Sequence, residues 1–246
     1  MPRIIISGRK PVLEALSAGI LIERIYLLRG VHGGSVDAIR QLARSKNVLI
    51  TESENAAFEK VSRGSNAQGV VALVGEKEYL EIEELLSIPA KKNEKAFFVV
   101  FDEIEDPHNL GALIRTAVCF GAHGGIVPKH HTSPINETVA KASAGASARF
   151  PISKVTNIVS AVEELKEQGI WVVGTDAAST QRFTEVDYSL PVAVVMGNEG
   201  KGIRRLVKEK CDFVVSIPMS GAFESLNVSV AGGLIMHEVF RERKVG

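Results

Sequence analysis

The sequence predicts an α/β protein in two domains, a small one followed by a larger one built on a parallel sheet. Residues 97–101 (FFVVF) and 192–196 (VAVVM) are apolar at every position, as strands buried on both faces of a parallel sheet are. Helix-period stretches separate these and similar runs after residue 96, the alternation that places helices against such a sheet. Charge divides the chain in the same way. Residues 1–75 carry ten Lys/Arg against six Asp/Glu, whereas residues 96–246 carry fifteen against seventeen.

Taken in order, residues 9–18 have a helical pattern and residues 22–28 the apolar content of a strand. Ser35 is placed to cap a helix running through residue 43, residues 48–50 make a short strand, and Ser53 starts another amphipathic stretch. The β-branched run at residues 69–74 closes a first domain set at residues 1–75. Residues 76–95, with Glu81, Glu83, Glu84, Pro89 and the cluster KKNEK, form a partly helical linker. The second domain, residues 96–246, takes strands at 97–101, 125–127, 170–174, 192–196 and 213–217 with helices between them.

Composition narrows the class of function. At 246 residues, 45% hydrophobic and 24% charged, the chain is an ordinary globular one. Its apolar runs are far shorter than the roughly 20 residues of a membrane-spanning helix. Residues 1–9 lack the pattern of a secretory signal, so cytoplasmic residence is the expectation. Zero net charge argues against a protein that merely coats nucleic acid. The excess of positive charge in residues 1–75 suits a nucleic-acid-facing surface and an unevenly charged solvated surface equally well. Cys119 and Cys211 are too few for a disulfide framework and lack zinc spacing, so reduced thiols and no metal are expected. His130 and His131 have no partner at metal spacing and read as a surface pair. Lys129, Lys141 and Arg149 are either solvated or line a nucleic-acid path.

Three separated segments carry the chemistry. The first, DPHNLGALIRTA at residues 106–117, follows a buried strand. Asn109 is a candidate N-cap, and Leu110, Leu113, Ile114, Ala117 and Val118 share one apolar face. Gly121 is placed to end that helix in a left-handed cap. Arg115 lies about 140° around from Leu110 at 100° per residue, above Gly111, which leaves a side-chain-free patch beneath its guanidinium. Two meanings stay open for it: an exposed helix arginine, or one reaching a phosphate or ribose.

The second segment, VAVVMGNEGKGI at residues 192–203, runs a strand into a glycine-rich turn at the edge where open α/β sheets bind ligands. Gly197, Gly200 and Gly202 fit neither the phosphate-loop nor the dinucleotide glycine spacing. Glu199 in such a turn repels phosphate and favours a cationic or hydroxyl-bearing ligand. The third segment, IPMSGAFESLNVSVA at residues 217–231, ends a strand and opens a helix with Ser225 and Asn227 near its start, where capping accounts for one of them. Ser229, Ala231, Gly232 and Gly233 make a small-residue stretch for tight internal packing or for a dimer face.

Together these motifs resemble the SpoU (TrmH-type) RNA ribose 2'-O-methyltransferases of the SPOUT superfamily. Asn109-Leu110-Gly111 with Arg115, Gly197-Asn198-Glu199-Gly200 with Gly202, and Ile217-Pro218 with Ser225-Leu226-Asn227 are similar to the family's three motifs, in order. Gly8-Arg9-Lys10 and Leu13-Glu14-Ala15-Leu16 are similar to the substrate-binding domain of many members, and the subgroup most resembled is the RlmB type, which acts on large-subunit ribosomal RNA.

The resemblance implies a C-terminal α/β domain with a deep trefoil knot, a small L30e-like N-terminal RNA-binding domain, and a homodimer with the site near its interface. It implies S-adenosylmethionine held by Gly197, Ile217 and Leu226, with Thr175, Gly200 and Met219 as further contacts. The implied substrate is a ribose 2'-hydroxyl, foremost of a guanosine in 23S rRNA, with transfer RNA as the alternative. Asn109, Arg115, Glu199, Ser225 and Asn227 are the implied catalytic residues. Because a guanidinium stays protonated, a phosphate clamp that stabilises developing oxyanion is a sounder role for Arg115 than general base. A non-catalytic RNA-binding or ribosome-assembly protein is the rival from another class.

Overall fold

A computed structural model describes residues 5–63, 67–75, 78–221 and 225–245, and the chain divides into two compact units at residues 77/78. The first unit runs β1 (Ile5–Ser7), α1 (Arg9–Ser17), β2 (Ile22–Leu28), α2 (Gly34–Ser45), β3 (Leu49–Ser53), α3 (Asn55–Ser62) and β4 (Val70–Val74). Its sheet has the order β1-β4-β2-β3, in which β2 and β3 are parallel and β4 runs antiparallel to both β1 and β2. Ile25, Leu27, Val70, Val71 and Ala72 are buried, as are Val12 and Leu16 of α1 and Ile39 and Ala43 of α2. Ser35 does not cap α2. The N-cap is Gly33, whose φ of 126° is open to glycine, and its carbonyl takes the amides of Val36 and Asp37.

The second unit opens with α4 (Ile82–Leu86) and α5 (Ile88–Lys92), within the stretch expected to link the domains. Leu80 bridges to Ser153 and Leu85 is fully buried, so residues 80–86 pack into this unit's core. There follow β5 (Phe97–Asp102), α6 (Pro107–Cys119), β6 (Gly124–Pro128), α7 (Glu137–Ala142), α8 (Ala146–Arg149) and β7 (Ile152–Val155). The chain continues as α9 (Ile158–Glu167), β8 (Trp171–Thr175), a 3-10 turn (Phe183–Glu185), β9 (Val192–Gly197), α10 (Arg205–Lys210), β10 (Phe213–Val215) and α11 (Val228–Val245).

The six strands form one parallel sheet in the order β10-β8-β9-β5-β6-β7. Alternation along β5 splits the core into two layers. Phe97, Val99 and Phe101 meet α6 and α11 on one face, while Phe98 and Val100 meet α4 and α9 on the other. Burying each large apolar side chain is worth about 1.5–3 kcal/mol, and every residue of β5 and β9 is buried, so both strands contribute heavily to the stability of this unit. The last strand ends at Val215, two residues before its expected end, because the Ser216 amide turns away to Gln181 O.

Helix α6 ends in the expected left-handed glycine. Gly121 has φ 79°, its N–H donates to Val118 O, and the Ala122 N–H donates to Ala117 O. Its start differs from expectation: Asp106, not Asn109, is the N-cap, accepting the His108 amide at 2.7 Å with Pro107 at the first helical position. Nor is the space at Gly111 open. A Cβ there would stand 2.5 Å from Ala142 Cβ and 2.9 Å from Val139 O, so Gly111 is where α6 lies flush on α7. Gly111→Ala should therefore destabilise the protein by about 1–2 kcal/mol, overpacking of 1–3 kcal/mol exceeding the helix-propensity gain of up to about 1 kcal/mol. Urea denaturation measures this, and a variant as stable as the parent would show that α7 yields.

Candidate active site

All six strands of the parallel sheet point their carboxyl ends to one edge, and the loops leaving β5, β8, β9 and β10 meet there. The loop after β9 folds back on itself. Asn198 and Gly202 exchange both backbone hydrogen bonds, at 3.0 and 2.8 Å. Asn198 Oδ1 closes the turn by accepting the amides of Gly200 at 3.0 Å and Lys201 at 3.3 Å. Gly197 has no room for a side chain, since its Cβ would lie 2.3 Å from Gly202 C and Ile203 N. The turn thereby carries Glu199 out at its exposed tip.

Because Asp106 takes the capping role, the Asn109 side chain is free to bond elsewhere. Its Nδ2 donates to Glu199 Oε1 at 2.8 Å, and its Oδ1 accepts from Asn227 Nδ2 at 3.0 Å. Asn227 caps α11: its Oδ1 accepts the Ser229 amide at 2.9 Å and the Ser229 hydroxyl at 2.6 Å. The direction of this chain is dictated from one end. A backbone N–H can only donate, so the atom of Asn227 facing Ser229 is oxygen, its nitrogen must face Asn109, and the nitrogen of Asn109 must face Glu199. The three segments, 90 and 118 residues apart in sequence, thus join at Asn109.

Beside this chain lies a cavity of about 630 Å³. Thr175, Gly197, Gly200, Ile217, Met219 and Leu226 all line it, together with Glu199 and Ser225. The Thr175 hydroxyl is committed to Val195 O at 3.1 Å, so this residue offers the cavity its backbone and methyl group. Met196, Ile217, Leu226, Ala231 and Ile235 provide an apolar wall, and Glu199 stands on the rim. That combination suits a ligand with a flat apolar part and a positive centre. Residues 222–224 of the third segment lie outside the described residues.

Several lining groups were not singled out in the sequence. Asp176 and Lys208 form an ion pair on the cavity wall, and Lys208 holds the Asp176 carboxyl below its usual range. Lys201 and Arg205 stand beside them. The one signal for these residues was their place after strand ends. Asn109, Arg115 and Asn227 do not line the cavity; Arg115 is exposed on α6 and makes no hydrogen bond or ion pair among the described residues. His131 Nδ1 lies 3.9 Å from Glu105, and both are exposed. Among the described residues no three His, Cys, Asp or Glu cluster as for a metal ion, and no helix is long and apolar enough to cross a membrane.

Residues 96–237 match the model of the SpoU rRNA Methylase family, and residues 5–80 match that of RNA 2'-O ribose methyltransferase substrate binding. A Bacillus subtilis relative named as the TrmH family tRNA/rRNA methyltransferase YacO is 43% identical over 236 residues, covering 96% of this chain and 94% of its own. A Staphylococcus saprophyticus relative named to the same family is 39% identical, covering 99% of this chain and 97% of its own. Among solved structures, the SpoU methyltransferase AviRb of Streptomyces viridochromogenes in complex with S-adenosylmethionine superposes with a TM-score of 0.69 at 26% identity, covering 99% of this chain and 92% of its own. The TrmH/SpoU tRNA modifying enzyme of A. aeolicus gives 0.56 at 32% identity, covering 67% of this chain and 83% of its own. The chain belongs to the SpoU (TrmH) family of RNA methyltransferases, whose methyl donor is S-adenosylmethionine.

Proposed function

We propose that this protein methylates a ribose 2'-hydroxyl of RNA, its substrate being a guanosine of 23S rRNA. The observation that carries this reading is the polar chain from Asn227 through Asn109 to Glu199 beside the cavity. S-adenosylmethionine supplies the methyl group from its sulfonium. The apolar wall of Ile217, Leu226 and Met196 takes the adenosine, while the carboxylate of Glu199 favours the positive centre. Thr175, Gly197, Gly200 and Met219 complete that wall.

Glu199 and Asn109 orient the hydroxyl, the Ser225 hydroxyl closes the pocket, and Arg115 clamps the neighbouring phosphate and stabilises negative charge developing on the ribose oxygen. Its lack of a protein partner among the described residues leaves its donors open to RNA. The family's knot belongs to the same reading, supported by the placement of β9 between β5 and β8, both earlier in the chain. So do residence in the cytoplasm and an RNA-binding domain ahead of a methyltransferase domain. Transfer RNA is the second reading, favoured by the likeness to the A. aeolicus tRNA modifying enzyme.

Incubation with unmodified ribosomal and transfer RNA, followed by nucleoside mass spectrometry, tests the reaction; a methyl on a base would overturn it. Arg115→Ala should lose turnover by about 100-fold or more while binding S-adenosylmethionine normally, as expected for a donor that acts on developing charge. Near-parental methylation would remove Arg115 from the mechanism. Asn227→Asp preserves a good N-cap but presents an acceptor to Asn109 Oδ1, so the Asn109 amide can serve only one of its two carboxylate neighbours and the chain is broken. It should melt like the parent and lose turnover, and an active variant would show that the direction of the chain is irrelevant.

The homodimer is part of this proposal. On α11 the outward Val230 and Leu234 are 51% and 42% exposed, one turn apart, and Val118 on the adjacent α6 is 45% exposed. Such an apolar stripe suits a second copy of the chain. Light scattering should give twice the chain mass for the parent and a single chain for Leu234→Glu, whereas a monomeric parent would refute the dimer.

A further inference from the structure

The glycine turn after β9 is held at both ends by two consecutive residues at the end of β5. Asp102 pairs with Gly197 in the β5–β9 register and is 0% exposed. Its carboxylate accepts the Arg204 amide at 2.9 Å and Arg204 Nε at 2.7 Å, with Nη2 at 2.6 Å. Glu103 follows with φ 62°, a left-handed conformation that non-glycine residues rarely adopt. Its carbonyl accepts from Asn198 Nδ2 at 3.1 Å, and its carboxylate stands 3.4 Å from Arg204 Nη1.

Both features are costly. A buried carboxylate loses its hydration, and apolar residues of similar volume often hold a strand as well as a buried ion pair does. A strained backbone persists only where its surroundings over-determine it. Here the bonds that offset both costs end on the same turn, Asn198 on one side of Glu199 and Arg204 beyond Gly202. They fix the turn against β5, whose next loop leads to Asn109, the partner of Glu199.

We propose that Asp102 and Arg204, with the bond from Asn198 to Glu103, are positioning residues that set the shape of the turn for S-adenosylmethionine. This rests on the reading that the turn walls the cofactor. Arg204 is 43% exposed and its backbone N–H still donates to Asp102 in Arg204→Gln, while the buried carboxylate loses its guanidinium, a loss the melting curves register. Calorimetry of full-length Arg204→Gln and Asp102→Asn, with steady-state kinetics and melting curves, tests the clasp. The affinity for S-adenosylmethionine should fall roughly tenfold, the size of one charge-assisted hydrogen bond. At saturating cofactor the KM for RNA should stay near the parental value, while kcat should fall as well, because the same turn carries Glu199. Arg204→Lys, which keeps the charge without the fork, should recover part of the affinity.

Folded variants that bind the cofactor like the parent, or that lose only thermal stability, would overturn the proposal. Gly200→Trp separates the two levels, since it adds a bulky side chain to the cavity lining and leaves Asp102 and Arg204 in place. If it loses cofactor while Arg204→Gln and Asp102→Asn do not, the clasp alone falls. If it too binds normally, the turn does not wall the cofactor and both readings fall.

Discussion

The pairing of β5 with β9 is the constraint on which the rest of this unit depends. Six consecutive register pairs, from Phe97 opposite Val192 to Asp102 opposite Gly197, are buried on both faces. A slip of one residue would carry Phe98 and Val100 into the layer of α6 and α11. The register also sets the candidate site, because both strands end level, and the loops that follow bring Asn109 and Glu199 within 2.8 Å. Packing in the core and polar geometry at the sheet edge are therefore set by the same pairing.

Strands with unbroken apolar sequence were legible: residues 97–101 and 192–196 lie within β5 and β9. The edge strand β7 was not. Its sequence, ISKV, mixes polar with apolar residues, and the buried position of Ser153 depends on neighbours distant in sequence. Helix starts were misjudged for a related reason. Asn109 and Asp106 are both good caps, and only the partner of each side chain tells which one serves. Grouping Asn109, Glu199 and Asn227 needed the family resemblance, since no local pattern links residues so far apart. Asp102 and Arg204 escaped notice because a strand-end carboxylate and a helix-start arginine are unremarkable until seen bonded.

The arginines of the second unit show how a sequence-level charge gains meaning from its partners. Arg204 is tied to Asp102, and Arg243 donates to the carbonyls of Tyr188, Lys95, Ala96 and Leu190. Burial pushes the Arg243 guanidinium down to about 10, a sign of how fully it is withdrawn from water. These two hold the fold together. Arg115 is exposed and makes no such bond among the described residues, so its charge is turned outward.

Asn227 both starts α11 and anchors the polar chain, so one side chain serves the fold and, in the proposed reaction, the site. Few substitutions separate the two. Most substitutions that silence the chemistry would also fray the first turn of an 18-residue helix that supplies Ile235, Met236 and Val239 to the core. A descendant that abandoned catalysis but kept the fold would be steered toward Asp, Ser or Thr at this position. The residue found there in an inactive relative would record which of the two demands was relaxed.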